Sequence, residues 1–140
     1  MLRSVLLKLA GSERMRRMVS SRGFFRTVAR RFVAGETATE ALEAARVLYG
    51  SRMLSTISYL GEHAGDAQVV YEARGVYLEL LARIKNEGLG TATNVSVKLS
   101  QLGLDLSENV AREDLESLVS YAETQGSFVR VDMEGSRYTD

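Results

Sequence analysis

Lys98 and Asp132 are the two residues whose types and settings could do chemistry. Each stands in a short apolar segment, Asn94-Val95-Ser96-Val97-Lys98-Leu99 and Phe128-Val129-Arg130-Val131-Asp132-Met133. A lysine between Val97 and Leu99 on an extended segment must either snorkel out of the end or reach a polar pocket. Asp132, between Val131 and Met133, is in the same position. An ammonium held by a carboxylate can recognise an anion and orient a polar substrate. Plainer readings stay open for both, a lysine at a solvated strand edge and a carboxylate that caps a loop. Glu134 could join as a ligand, and Glu134-Gly135-Ser136 also fits a loop. The spacing matches no metal triad, and a two-metal site would want more carboxylates.

These residues need elements to position them. Three extended segments are legible: Ser55 to Leu60, Asn94 to Leu99, and Phe128 to Met133, with a helix-like stretch between each pair. Strand and amphipathic helix in alternation read as βαβαβ, the pattern of a parallel sheet. A two-residue period divides the second segment into Val95, Val97 and Leu99 on one face and Asn94, Ser96 and Lys98 on the other. In the third, Val129, Val131 and Met133 oppose Phe128, Arg130 and Asp132. With the valines under the helices, Lys98 and Asp132 share the opposite face near the C-terminal strand ends, where such folds place ligands. Strands roughly 5 Å apart would bring the two charges within salt-bridge reach.

The helices carry their own punctuation. Thr37-Ala38-Thr39-Glu40 has capping-box spacing and starts a helix running to Gly50, expected just past its C-terminus. Asp66 is placed to cap a helix extending to about Glu87. Its predicted buried face holds Val69, Val70, Ala73, Val76, Tyr77, Leu80, Leu81 and Ile84. Ser107 is placed to cap a third helix, ending near Gly126, with Val110, Leu115, Leu118, Val119 and Ala122 inward.

Composition narrows the chemistry. The 140 residues are 45% apolar and 26% charged, globular values. Lys plus Arg equals Asp plus Glu, at 18 each, so no overall field argues for nucleic acid or another polyanion. With no Cys there is no disulfide, thiolate nucleophile or Cys-ligated metal, and the single His63 cannot form a polyhistidine site. No apolar run is long enough to span a bilayer. The stretch before Arg31 is arginine-rich and almost free of acid. It admits a mitochondrial-type presequence or an anionic-surface contact, but the same arginines fit a solvated helix face. Phe24 to Ala34 reads as a short helix. Absence of Pro, and an end at Asp140 directly after the third predicted strand, suggest an interruption within a longer fold, since a parallel sheet needs both faces covered.

Three stretches resemble the proline dehydrogenase family: Tyr59-Leu60-Gly61-Glu62, the run from Asn94 through Lys98-Leu99-Ser100-Gln101-Leu102-Gly103-Leu104, and Phe128-Val129-Arg130-Val131-Asp132-Met133-Glu134. The second and third in combination are specific. The resemblance begins near Phe24 and runs to the end, covering about the first half of a family member.

It implies an α/β chain: N-terminal helices over residues 1–52, then over 53–140 the first three strands and two helices of a distorted (β/α)8 barrel, incomplete as it stands. It implies FAD over the strand ends and oxidation of L-proline to Δ1-pyrroline-5-carboxylate, with electrons passing to a quinone or another acceptor. By residue, Lys98 corresponds to a lysine that contacts the substrate or orders its pocket. Asp132 corresponds to the active-site carboxylate of the third strand, and Met133 to a residue contacting the flavin. The implied location is the cytoplasm, or the inner-membrane surface as a peripheral protein. Hydride transfer needs alignment more than a strong nucleophile, so a site without Cys or His suffices. Ser58 departs from the pattern, since the family commonly has an acid there, and a hydroxyl cannot supply a carboxylate's charge. The later strands, which in the family hold most of the FAD site and the arginines for the proline carboxylate, are missing. The chain alone is therefore not expected to catalyse the reaction. The other reading is a non-catalytic assembly module whose open sheet edge pairs with the missing half or with another copy.

Overall fold

The structure is a computed structural model that describes residues 33–61, 65–135 and Tyr138. The predicted helix from Phe24 lies almost wholly outside the described residues, as do the N-terminal arginines and His63. By internal contacts, Thr37–Asp140 forms one unit.

Within it, the predicted alternation is present. Helix α1 spans Ala38–Gly50, strand β1 Ser55–Ser58, helix α2 Ala67–Asn86, strand β2 Thr93–Val97, helix α3 Glu108–Thr124 and strand β3 Val129–Val131. A 3-10 turn, Leu99–Leu102, separates β2 from α3. The three strands form one sheet in the order β1-β2-β3, both pairs parallel. This is an α/β fold in the form of an incomplete (β/α)8-type barrel. Register places Ser58 beside Ser96, Ser96 beside Arg130, and Val97 beside Val131.

Each helix begins where an oxygen-bearing side chain can take an orphan amide. Thr37 accepts from the Glu40 amide at 3.3 Å, Asp66 from Gln68 at 2.8 Å, and Ser107 from Asn109 at 3.2 Å. At the other end of α1 the expectation shifts. Gly50 is the last helical residue, Ser51 is the cap, and the left-handed conformation falls on Arg52 at φ 61°. The helix simply runs one residue further than the glycine suggested.

The core lies between the helices and one face of the sheet. Leu42 and Ala45 of α1, Tyr77, Leu80, Leu81 and Ile84 of α2, Val95 and Val97 of β2, and Leu118 and Ala122 of α3 meet there, all buried. Burying each of the leucines, valines and the isoleucine among them contributes roughly 1.5–3 kcal/mol. The predicted faces were too wide at their rims. Val69, Val110 and Val119 are exposed, whereas Ala111 is buried. Val129 of β3 packs against the core, but Val131 is half exposed and Met133, just past the strand, almost wholly so. Among the described residues no helix covers the far end of this strand.

Strands β2 and β3 are shorter than their sequence segments. Lys98 already caps the 3-10 turn, and Leu99 belongs to that turn and not to the inward strand face. Gly103 ends the turn at φ 95°, where a Cβ would come within 2.8 Å of Val110 Cγ1. Only glycine satisfies both the dihedral and the contact.

Candidate active site

The sheet face turned away from the helices is polar. Thr56 Oγ1 donates to Asn94 Oδ1 at 3.1 Å, and Arg130 Nε donates to the same oxygen at 3.2 Å. The Arg130 guanidinium also lies 5.2 Å from the Phe128 ring centroid. Toward the C-terminal strand ends this face continues into Ser96 and Asp132, joined by a hydrogen bond from the Ser96 hydroxyl to Asp132 Oδ1.

Asp132 therefore sits where alternation puts it, on the face of Asn94, Ser96 and Arg130. Its backbone amide donates to Val97 O at 2.9 Å, extending the β2–β3 ladder one step beyond the last paired residues. That step sets Asp132 beside Lys98 along the ladder. The two do not form an ion pair. Among the described residues the Asp132 carboxylate is held by a neutral serine, and Lys98, part exposed, carries no salt bridge. The expected cation–anion contact is corrected in this respect. Lys98 lies at the start of the 3-10 turn, still in extended backbone conformation. Met133 is 88% exposed.

Four further residues organise the strand ends. Ser100 donates to the Glu134 carboxylate twice, through its amide at 2.9 Å and through its hydroxyl. This ties the segment after β3 to the 3-10 turn after β2, so Glu134 closes a loop. Tyr77 reaches from α2 to the same place. Its hydroxyl lies 3.0 Å from Ser96 O and 3.1 Å from Gln101 Oε1, and the Tyr59 amide points at it from 3.4 Å. The Gln101 amide nitrogen donates to Tyr59 O at 2.9 Å. A Cβ on Gly61 would come within 2.9 Å of that nitrogen. Burial pushes the Tyr77 phenol above its ordinary pKa, opposed by hydrogen bonds to the Tyr59 backbone and Ser58, while the Asp132 charge pushes it further up.

Sequence reading assigned Tyr77 to packing and passed over Ser96 and Gln101. The signals were faint. A tyrosine on an apolar helix face brings a hydroxyl that must find a partner when buried, and Ser96 and Gln101 are polar side chains in what became fully buried positions. Among the described residues no group of His, Asp or Glu could hold a metal ion. A wide, open depression of about 570 Å³ lies between α2 and α3, lined by Leu78, Ser117 and Tyr121, away from the strand ends. A smaller one, about 310 Å³, lies at the N-terminal ends of the strands beside Leu54, Thr93 and Arg130.

Parallel strands covered by helices on one face, with a polar opposite face leading to a carboxylate at the strand exits, are the arrangement of part of a (β/α)8-type barrel, a fold that places ligands at that end. No family model matches the chain. It is 34% identical over 134 residues to Proline dehydrogenase 1 of Bacillus subtilis (strain 168), covering 96% of this chain and 43% of that protein. Proline dehydrogenase 2 of the same organism is 27% identical over 109 residues, 78% of this chain and 35% of the relative. Among solved structures, proline utilization A from Bdellovibrio bacteriovorus, inactivated by N-propargylglycine, shares the fold with a TM-score of 0.66 at 21% identity. That match covers 74% of this chain and 13% of the other. The chain thus matches the proline dehydrogenase family, over less than half the length of these relatives. Among the described residues no helix is long and apolar enough to cross a membrane.

Proposed function

We propose that this chain supplies the first three strand ends of a flavin-dependent site that oxidises L-proline to Δ1-pyrroline-5-carboxylate, and that it does not complete the reaction alone. Residues 53–140 are the barrel-forming part in this reading, and residues 1–52 the helical segment before it. The observation that carries it is Asp132, anchored at the exit of β3 in a segment matched to proline dehydrogenases.

The strand exits suit one side of a flavin. Met133 offers an uncovered thioether at 88% exposure, a soft apolar contact for a flat ring. Bound there, FAD supplies the acceptor for the hydride leaving the carbon beside the proline nitrogen. The chain's own residues bind and orient. Asp132 accepts hydrogen bonds from the substrate amine, and Lys98, with no ion pair to Asp132, attracts the substrate carboxylate. Ser58 adds no charge to the pocket beside β1. A quinone or another acceptor takes the electrons onward, at a cytoplasmic site or one peripheral to the inner membrane. Strand β3 pairs only with β2 among the described residues, so its outer edge is where a further strand would add.

In the FAD-loaded holoenzyme that contains this chain, L-proline is expected to reduce a dye, and Asp132→Asn to lower kcat/KM by about 100-fold through lost alignment. The 140-residue chain by itself is expected to hold little flavin and turn nothing over. A flavin-loaded holoenzyme indifferent to L-proline overturns the proline assignment. Stoichiometric flavin with turnover in the isolated chain overturns its incompleteness.

A further inference from the structure

The carboxylate of Asp132 has two oxygens in different circumstances. Oδ1 accepts from the Ser96 hydroxyl, whereas Oδ2 has no hydrogen-bond partner among the described residues. Ser96 itself has little freedom. It is 3% exposed and paired across the ladder on both sides, with Ser58 and with Arg130. Its backbone carbonyl faces the Tyr77 hydroxyl at 3.0 Å, and Tyr77 is wholly buried. The Asp132 backbone is fixed as well, by its amide bond to Val97 O. A carboxylate held at its backbone and at one oxygen has one remaining way to face.

We propose that Ser96 is a positioning residue for Asp132. Its hydroxyl occupies Oδ1 and leaves Oδ2 as the acceptor presented to the amine of a bound cyclic amino acid. Tyr77 fixes Ser96 from behind through the backbone carbonyl. The inference rests on the proline reading above for its substrate, but the Ser96–Asp132 link stands on geometry alone.

A neutral donor suits this task. A lysine in its place would hold the carboxylate by charge from a flexible stem and compete with an incoming ammonium. A serine on a buried strand adds direction without a compensating charge. Asp132 keeps its attraction for a cation while losing its freedom to rotate.

Two measurements test the link. In the 140-residue chain labelled with ¹³C at aspartate carboxyls, the Asp132 resonance is expected to move in Ser96→Ala and return toward its original position in Ser96→Thr, which keeps a hydroxyl. An unmoved resonance in folded Ser96→Ala overturns the proposal. In the FAD-loaded holoenzyme that contains this chain, Ser96→Ala is expected to lower kcat/KM for L-proline by about 10- to 100-fold, the range for a lost hydrogen bond to a charged group. Ser96→Thr should recover most of it. Because Ser96 acts through Asp132, Ser96→Ala added to Asp132→Asn should cost little more than Asp132→Asn alone. Fully additive losses would mark a merely structural role and overturn the inference. The two levels fail separately. A flavin-loaded holoenzyme that does not turn over L-proline sinks the proline reading, whereas a large loss in Asp132→Asn beside an undiminished, folded Ser96→Ala sinks only the positioning role.

Discussion

The two faces of the sheet have opposite characters. On the helix side, Val95 and Val97 meet Leu81, Ile84 and Leu118 with no exposure left. On the other side, Thr56 and Arg130 hydrogen-bond to Asn94, and Ser96 to Asp132 nearer the strand exits. The first face holds the unit together by burial. The second organises polar groups whose geometry matters more than their contribution to stability. A parallel sheet reconciles the two because successive residues alternate between faces, so one strand serves both purposes.

The comparison breaks most readily at the helix side. Leu81→Ala should cost about 2–5 kcal/mol in chemical denaturation, the range for an emptied aliphatic site. Thr56→Val on the polar face should cost about 1 kcal/mol or less, the net value of one hydrogen bond. Equal losses would mean that the polar face carries the fold too. Gly103→Ala comes next. It should lose roughly 1–3 kcal/mol, because its φ of 95° strains a side-chain-bearing residue and the new methyl meets Val110. A neutral Gly103→Ala would show that the turn joining the two faces tolerates adjustment.

Tyr77 belongs to both faces, with its ring in the core and its hydroxyl at the strand ends. Removing the hydroxyl in Tyr77→Phe should cost about 1 kcal/mol at neutral pH. Its pH dependence is more telling. The folded-state pKa is raised above the ordinary tyrosine value, so the folded chain binds the phenolic proton more tightly than the unfolded chain does. The associated stability is fully present below about pH 10 and is lost as pH rises through the folded-state value. Melting curves across this alkaline range should fall more steeply for the parent than for Tyr77→Phe. Parallel curves would place the phenol in contact with solvent and separate it from the polar network.

Much of this was legible in the sequence. Thr37, Asp66 and Ser107 announced the helix starts, because a side-chain oxygen beside orphan amides acts over two or three residues. The assignment of Val95 and Val97 to the core and of Asp132 to the other face followed from a period that local backbone geometry enforces. What the segments looked like at their ends was less reliable. Leu99 read as a strand residue, but the chain had already turned, and Val131 read as buried although no described helix reaches over it.

The amino-acid order by itself determined the alternation of strands and helices, their caps, and which side of the sheet would carry charge. All of these depend on neighbours a few residues apart. Only the tertiary structure decided that Asp132 would bind Ser96, 36 residues away, and not Lys98, that Glu134 would close onto Ser100, and that Tyr77 would reach Ser96 and Gln101. Those choices depend on ladder register, on where β2 gives way to a 3-10 turn, and on how α2 lies across the strands. Hydrogen bonds discriminate over fractions of an ångström, a precision that a pattern of residue types does not carry.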